Sequence, residues 1–118
     1  MASTMQNRSS HPIDLATIQD IAQLIVERFA PERVILFGSY ARDQAGDHSD
    51  VDLLVEMRLS DRSTRGNPVR RAIAERFVLP MDIVIRTPEA VAKHRDNPYS
   101  LVHQALKEGI ILYDRHAA

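Results

Sequence analysis

The spacing of apolar residues changes several times along the chain, and each change predicts an element. Residues 14 to 30, DLATIQDIAQLIVERFA, put Leu15, Ile18, Ala22, Ile25 and Phe29 on one stripe of a helix. Asp14 suits its N-cap and Pro31 its stop. RVILFG, 33 to 38, is short, β-branched and nearly all apolar, the pattern of a buried strand. GSYARDQ predicts the opening of a short helix, AGDHS a turn, and DVDLLVEM, 50 to 57, a second strand. The polar run RLSDRSTRGNP, 58 to 68, is expected to be a mobile loop. A helix from about Pro68 to Leu79 would align Val69, Ile73 and Phe77, and LPMDIVIR, 79 to 86, would be a third strand. Thr87 and Pro88 form a helix start. Residues 98 to 108 predict a last helix with Tyr99, Val102 and Leu106 on one side and Gly109 as its C-terminal cap, before a short final strand, IILYD, 110 to 114. Helices and strands interleave, so the fold class is α/β or α+β, a small sheet flanked by helices.

Composition narrows the class of protein. The 118 residues suffice for one domain, expected over 13–118, and the polar start MASTMQNRSSHP is expected to be a disordered lead over 1–12. That lead has no apolar signal core, and no apolar run approaches the about 20 residues that span a bilayer, so the expectation is a cytoplasmic protein with no membrane segment. The net charge of -1 supplies no global positive field for a nucleic-acid backbone. The chain has no cysteine, which removes disulfides and thiolate zinc sites, and its five histidines show no paired ligand spacing.

The candidate chemistry is carboxylate chemistry. In a strand, positions i and i+2 share a face, so Asp50 and Asp52 would stand side by side. Asp82 holds a similar place in the third strand, and if that strand neighbours the second, three carboxylates converge. Three anions that close call for a counter-charge, and Mg²⁺ favours a few carboxylate oxygens together with substrate phosphates. An isolated Asp-x-Asp is most often a solvated strand edge. This one follows a glycine–serine turn whose free N–H groups suit a phosphate, with Ser39 adding a hydroxyl and Arg42 a guanidinium fork. A phosphate cradle and an acidic cluster in one strand–turn–strand unit is a more selective pattern than either half.

GSYARDQAGDHSDVDLLV resembles the signature of the polymerase β-like nucleotidyltransferase superfamily, and the short chain resembles its minimal group, often antitoxins paired with HEPN-type toxins. The resemblance covers about Val34 to Ile85 and implies a small mixed sheet flanked by helices. It implies that Gly38 and Ser39 bind the triphosphate of ATP and that Arg42 touches phosphate. Asp50, Asp52 and Asp82 would ligate two Mg²⁺ ions, with Asp82 also orienting the acceptor hydroxyl, and Ser49 would support the nucleotide site or stabilise the turn. The implied reaction is transfer of AMP from ATP to a tyrosine of a HEPN-type toxin, with an antibiotic or RNA acceptor, or masking by binding alone, as alternatives. One position departs from the family: Asp43 stands where a glycine is usual after the arginine, which bears on backbone conformation and on nucleotide affinity. Among lesser features, Glu56 is expected to face solvent, and His48 lies near the aspartates. Tyr40 is open to three roles: self-modification target, base-stacking surface or packing residue. The arginines at 58, 62, 65, 70 and 71 form a basic cluster.

Overall fold

The computed structural model describes residues 13–46, 49–59 and 67–117. The lead over 1–12, His48 and most of the expected loop, 60–66, lie outside the described residues. The element order is α1 (Leu15–Phe29), β1 (Arg33–Phe37), β2 (Val51–Glu56), α2 (Pro68–Ala74), β3 (Met81–Arg86), α3 (Pro88–His94), α4 (Leu101–Glu108) and β4 (Ile110–Asp114). The four strands form one mixed sheet in the order β3-β2-β1-β4. β1 pairs antiparallel with β2 and β4, and β2 pairs parallel with β3.

Sheet position explains the strand sequences. β1 and β2 lie in the middle with both faces covered, so they are apolar almost throughout. β3 and β4 are edges and keep exposed positions. On one face α1 and α2 pack Ile18, Ile21, Ile25, Val69 and Ile73 against Val34, Leu36, Leu53 and Ile83. On the other, Ala105 of α4 meets Ile35, Phe37 and Leu54, with Leu101 and Leu106 at the margin. Alternation therefore divides each strand between two cores, and residue parity decides which one a side chain enters.

Local chemistry fixes the helix ends. The Asp14 carboxylate accepts the Thr17 N–H at 2.9 Å and caps α1. Pro31 disfavours right-handed helix in the residue before it. Ala30 turns left-handed at φ 47°, and its N–H closes the helix onto the Val26 carbonyl. Thr87 and Ser100 cap α3 and α4 in the same manner as Asp14.

Three expectations need correction. α2 ends at Ala74, not Leu79; Phe77 lies past it in a turn closed onto the Ile73 carbonyl, and packs on the α1-side core. α4 starts at Leu101 behind its Ser100 cap, so Tyr99 precedes the helix and is 95% exposed. Gly109 caps α4 as expected, its N–H donating to the Ala105 carbonyl, in an extended and not a left-handed conformation. A Cβ there would overlap the Ala105 carbonyl oxygen and sit 2.6 Å from Ile35 Cγ2, so glycine lets α4 pass close to β1. Glu56 is buried and paired with Arg33 at 2.6 Å instead of facing solvent.

Candidate active site

β1 delivers the chain to Gly38 just past its C-terminal end, and β2 returns beside it, with Phe37 opposite Asp52. The connection begins as a single tight turn. Ala41 and Arg42 N–H groups donate to the Gly38 carbonyl at 3.1 and 3.2 Å, and Gln44 N–H donates to Ser39 at 2.8 Å. The short helix expected here does not form. Asp43 adopts φ 58°, and a left-handed residue ends helical progression after one turn. Among the described residues the N–H groups of Ser39 and Tyr40 and the Ser39 hydroxyl have no partner, so they remain available to an anion.

Gly38 does more than turn the chain. Its φ is 74°, and a Cβ on it would overlap Oδ2 of Asp52. Glycine here lets the phosphate-type turn and the carboxylate come into contact. The sequence suggested a phosphate-binding glycine; its contact with Asp52 depends on the β1–β2 register and had no signal in the sequence.

The parallel register places Asp52 directly opposite Asp82. Asp50 lies just ahead of β2, at the i−2 position on the same face. Parity assigns this face to the α4 side, with Phe37 and Leu54. Asp52 is half-buried, while Asp50 and Asp82 are exposed. Burial pushes the Asp52 carboxyl above its usual range; the charges of Asp82 and then Asp50 push it further, and Arg42 opposes them. Three acidic side chains thus share one electrostatic environment with one cation nearby. Among the described residues, no group of three acidic or imidazole side chains closes to metal-holding geometry. The donor set still suits a hard divalent cation, because carboxylate oxygens predominate and their mutual repulsion lacks a full counter-charge.

Arg42 is exposed, donates from Nε to Gln44 Oε1 at 3.2 Å, and has Nη1 3.8 Å from Glu108 Oε2 at the end of α4. Ser49 is committed to the chain itself: its hydroxyl accepts the Gly46 N–H at 2.9 Å and tightens the turn before Asp50. Tyr40 packs on the α1-side core, and its hydroxyl accepts the Ile13 N–H at 3.0 Å, which favours packing among the three roles left open. Asp43 is not among the charges acting on Asp52. Of the basic cluster, Arg58 pairs with Glu89 away from this site.

Comparison with known proteins bears on family and fold. The model of the family described as polymerase beta, nucleotidyltransferase, matches residues 19–118. A Methanocaldococcus jannaschii protein provisionally named a protein adenylyltransferase is 36% identical over 67 residues. That match spans 57% of this chain and 65% of the relative, short of two thirds of its length. A crystal structure from Sulfolobus solfataricus, provisionally identified as a nucleotidyltransferase, superposes with a TM-score of 0.53. It is 19% identical, and the match covers 86% of this chain and 80% of that one, a likeness of fold.

Proposed function

The chain belongs to the polymerase β nucleotidyltransferase family, and from that premise we propose that it transfers AMP from ATP to a tyrosine hydroxyl of a partner protein. The observation that carries the reading is Asp52: half-buried, held against Gly38, opposite Asp82, with its carboxyl pushed up for want of counter-charge. The Ser39 hydroxyl and the free N–H groups of Ser39 and Tyr40 would hold phosphate oxygens, and Gly38 keeps the backbone close enough for them to do so. Arg42 would exchange its long contact with Glu108 for the leaving pyrophosphate.

Asp50, Asp52 and Asp82 would hold divalent cation. When bound, Mg²⁺ would neutralise charge on the phosphates and lower the pKa of the attacking oxygen. Asp82, exposed at the sheet edge, would orient the acceptor hydroxyl and take its proton. The phenolic oxygen attacks the α-phosphorus, the bond to pyrophosphate breaks, and catalysis is mainly positioning and electrostatics. A protein as acceptor is supported by the provisional name of the Methanocaldococcus jannaschii relative, and tyrosine as the accepting residue follows from the resemblance of residues 37–56. A HEPN-type toxin as the partner, making this chain an antitoxin, follows from the resemblance of residues 37–56 and awaits its own test.

The test is co-expression with a HEPN-type toxin, then intact mass after incubation with ATP and Mg²⁺. A gain of one AMP on the toxin, lost with Asp52→Asn along with at least about 100-fold of the rate, is expected. Protection of cells by Asp52→Asn with no mass change on the toxin would replace transfer with masking by binding.

A further inference from the structure

Behind the site turn lies an apolar groove of about 370 Å³ that the nucleotidyl-transfer reading leaves without a role. Ile13, Leu15 and Ile18 of the α1 region form one wall, Tyr40 and Asp43 the other, and Ile110 of β4 closes one side. Ile18 and Tyr40 belong to the core on the α1 side of the sheet, so the groove opens away from the three aspartates. Leu15 is 53% and Ile110 42% exposed, a large apolar surface for two residues beside a candidate active site.

Asp43 adds the charge. Its carboxylate has no hydrogen-bond or ion-pair partner among the described residues, and it lines a groove otherwise made largely of apolar side chains. Its backbone sits at φ 58°, a conformation that favours glycine, so the chain bears some local strain while placing an acid there. A groove of this composition complements an aliphatic side chain followed by a cation.

We propose that this groove docks the acceptor protein through a segment carrying an aliphatic residue next to a lysine or arginine. The proposal rests on the reading that the acceptor is a protein tyrosine. The groove and the carboxylates lie against one turn: Tyr40 and Asp43 wall the groove, while Gly38 sits against the Asp52 carboxylate and the Arg42 charge acts on it. A segment seated on one side would present its following residues to the other across a single loop. Asp43 would therefore select the acceptor by charge without touching the nucleotide.

Two capped peptides test this, Gly-Leu-Ile-Lys-Gly-Tyr and the same peptide with Glu in place of Lys, titrated into the full chain and followed by amide NMR shifts. The Lys peptide is expected to perturb Ile13, Leu15, Tyr40 and Ile110 and to bind about two- to fivefold more tightly than the Glu peptide. Asp43→Asn, which tolerates the same backbone conformation, should erase that difference, and Leu15→Ser should weaken both peptides. Equal binding of the two peptides, shifts confined elsewhere, or no shifts at all would overturn the groove. Shifts at these same residues on raising protein concentration alone would assign it to a second copy and also overturn the proposal. Adding ATP and Mg²⁺ separates the two readings. Transfer to both peptides with equal efficiency removes the groove and keeps the transferase. Charge-selective docking without transfer keeps the groove and removes the tyrosine acceptor.

Discussion

The two ends of the sheet treat charge in opposite ways. At the end where β1 starts and β2 finishes, three glutamates each have a cation. Glu56 pairs with Arg33 at 2.6 Å, Glu32 meets Arg115 at 2.8 Å and His116 at 2.6 Å, and Glu89 holds Arg58. At the other end Asp50, Asp52 and Asp82 crowd together, and Arg42 is shared with Glu108 at 3.8 Å. Carboxyl behaviour follows. The His116 hydrogen bond and the Arg115 charge hold Glu32 below its usual range, and Arg58 does the same for Glu89. Burial and like charge push Asp52 above its range. Acidic residues are common at both ends, so abundance does not mark the site. Missing compensation does, because a fold that places repelling groups together without a partner gives up stability there.

The largest expected effect on this contrast comes from Gly38→Ala. It forces a Cβ into the Asp52 carboxylate at φ 74°, so we expect a loss of about 2–4 kcal/mol in denaturant melts and loss of nucleotidyl transfer. Gly46→Ala is the control, since a Cβ there meets nothing within 4 Å, and it should melt close to the parent. Equal melts for the two variants would mean that Gly38 and Asp52 are not in contact.

Next in size is Glu56→Ala at the compensated end. It strands the half-buried Arg33 and should cost about 2–3 kcal/mol in the same melts while leaving the transfer rate per folded molecule unchanged. A fall in that rate would show that the two ends are coupled.

The pH dependence of stability should then separate the ends. Glu32 has a lowered folded-state pKa, so its contribution is present above the unfolded carboxylate value and lost as pH falls through the folded one. Asp52 has a raised folded-state pKa. Its contribution is present in acid, below the unfolded value, and is lost as pH rises through the folded one. At neutral pH the ionised Asp52 therefore opposes folding. Asp52→Asn should melt a few degrees higher than the parent at pH 7 and converge with it in acid, whereas Glu32→Gln should melt lower at pH 7 and converge in acid. A lower melting point for Asp52→Asn at pH 7 would contradict the uncompensated cluster.

The smallest effect is expected at Ser49. Ser49→Ala removes the hydroxyl that accepts the Gly46 N–H in an exposed turn and should cost about 0.5–1 kcal/mol, with nucleotide affinity unchanged by calorimetry. A tenfold loss of affinity would instead move Ser49 into the nucleotide site.

Much of the fold was legible because its signals are local. The α1 stripe, the Asp14, Thr87 and Pro88 start signals, and the apolar runs of β1 and β2 depend on neighbours a few residues away. Expectations failed where distant packing decided. Phe77 fits a helical stripe but serves the α1-side core from a turn, and Glu56 finds Arg33 only because β1 and β2 pair in one register. In the site, the types and spacing of Gly38, Ser39, Arg42, Asp50 and Asp52 were readable from one continuous segment. Asp43 was half readable: its left-handed backbone fits a position where the resemblance expects glycine, but its place in the groove lining was not.

By itself the sequence determined the kinds of chemistry available: a glycine–serine turn, an arginine, a pair of aspartates two apart, and a third ahead of another apolar run. These follow from residue type and from the two-residue repeat of a strand. Tertiary structure alone decided that β3 lies parallel beside β2, which sets Asp82 against Asp52 from 30 positions away in the chain, and that Gly38 touches the Asp52 carboxylate. Strand neighbours are chosen by burial of both sheet faces under α1, α2 and α4, a sum over the whole core that no short segment contains.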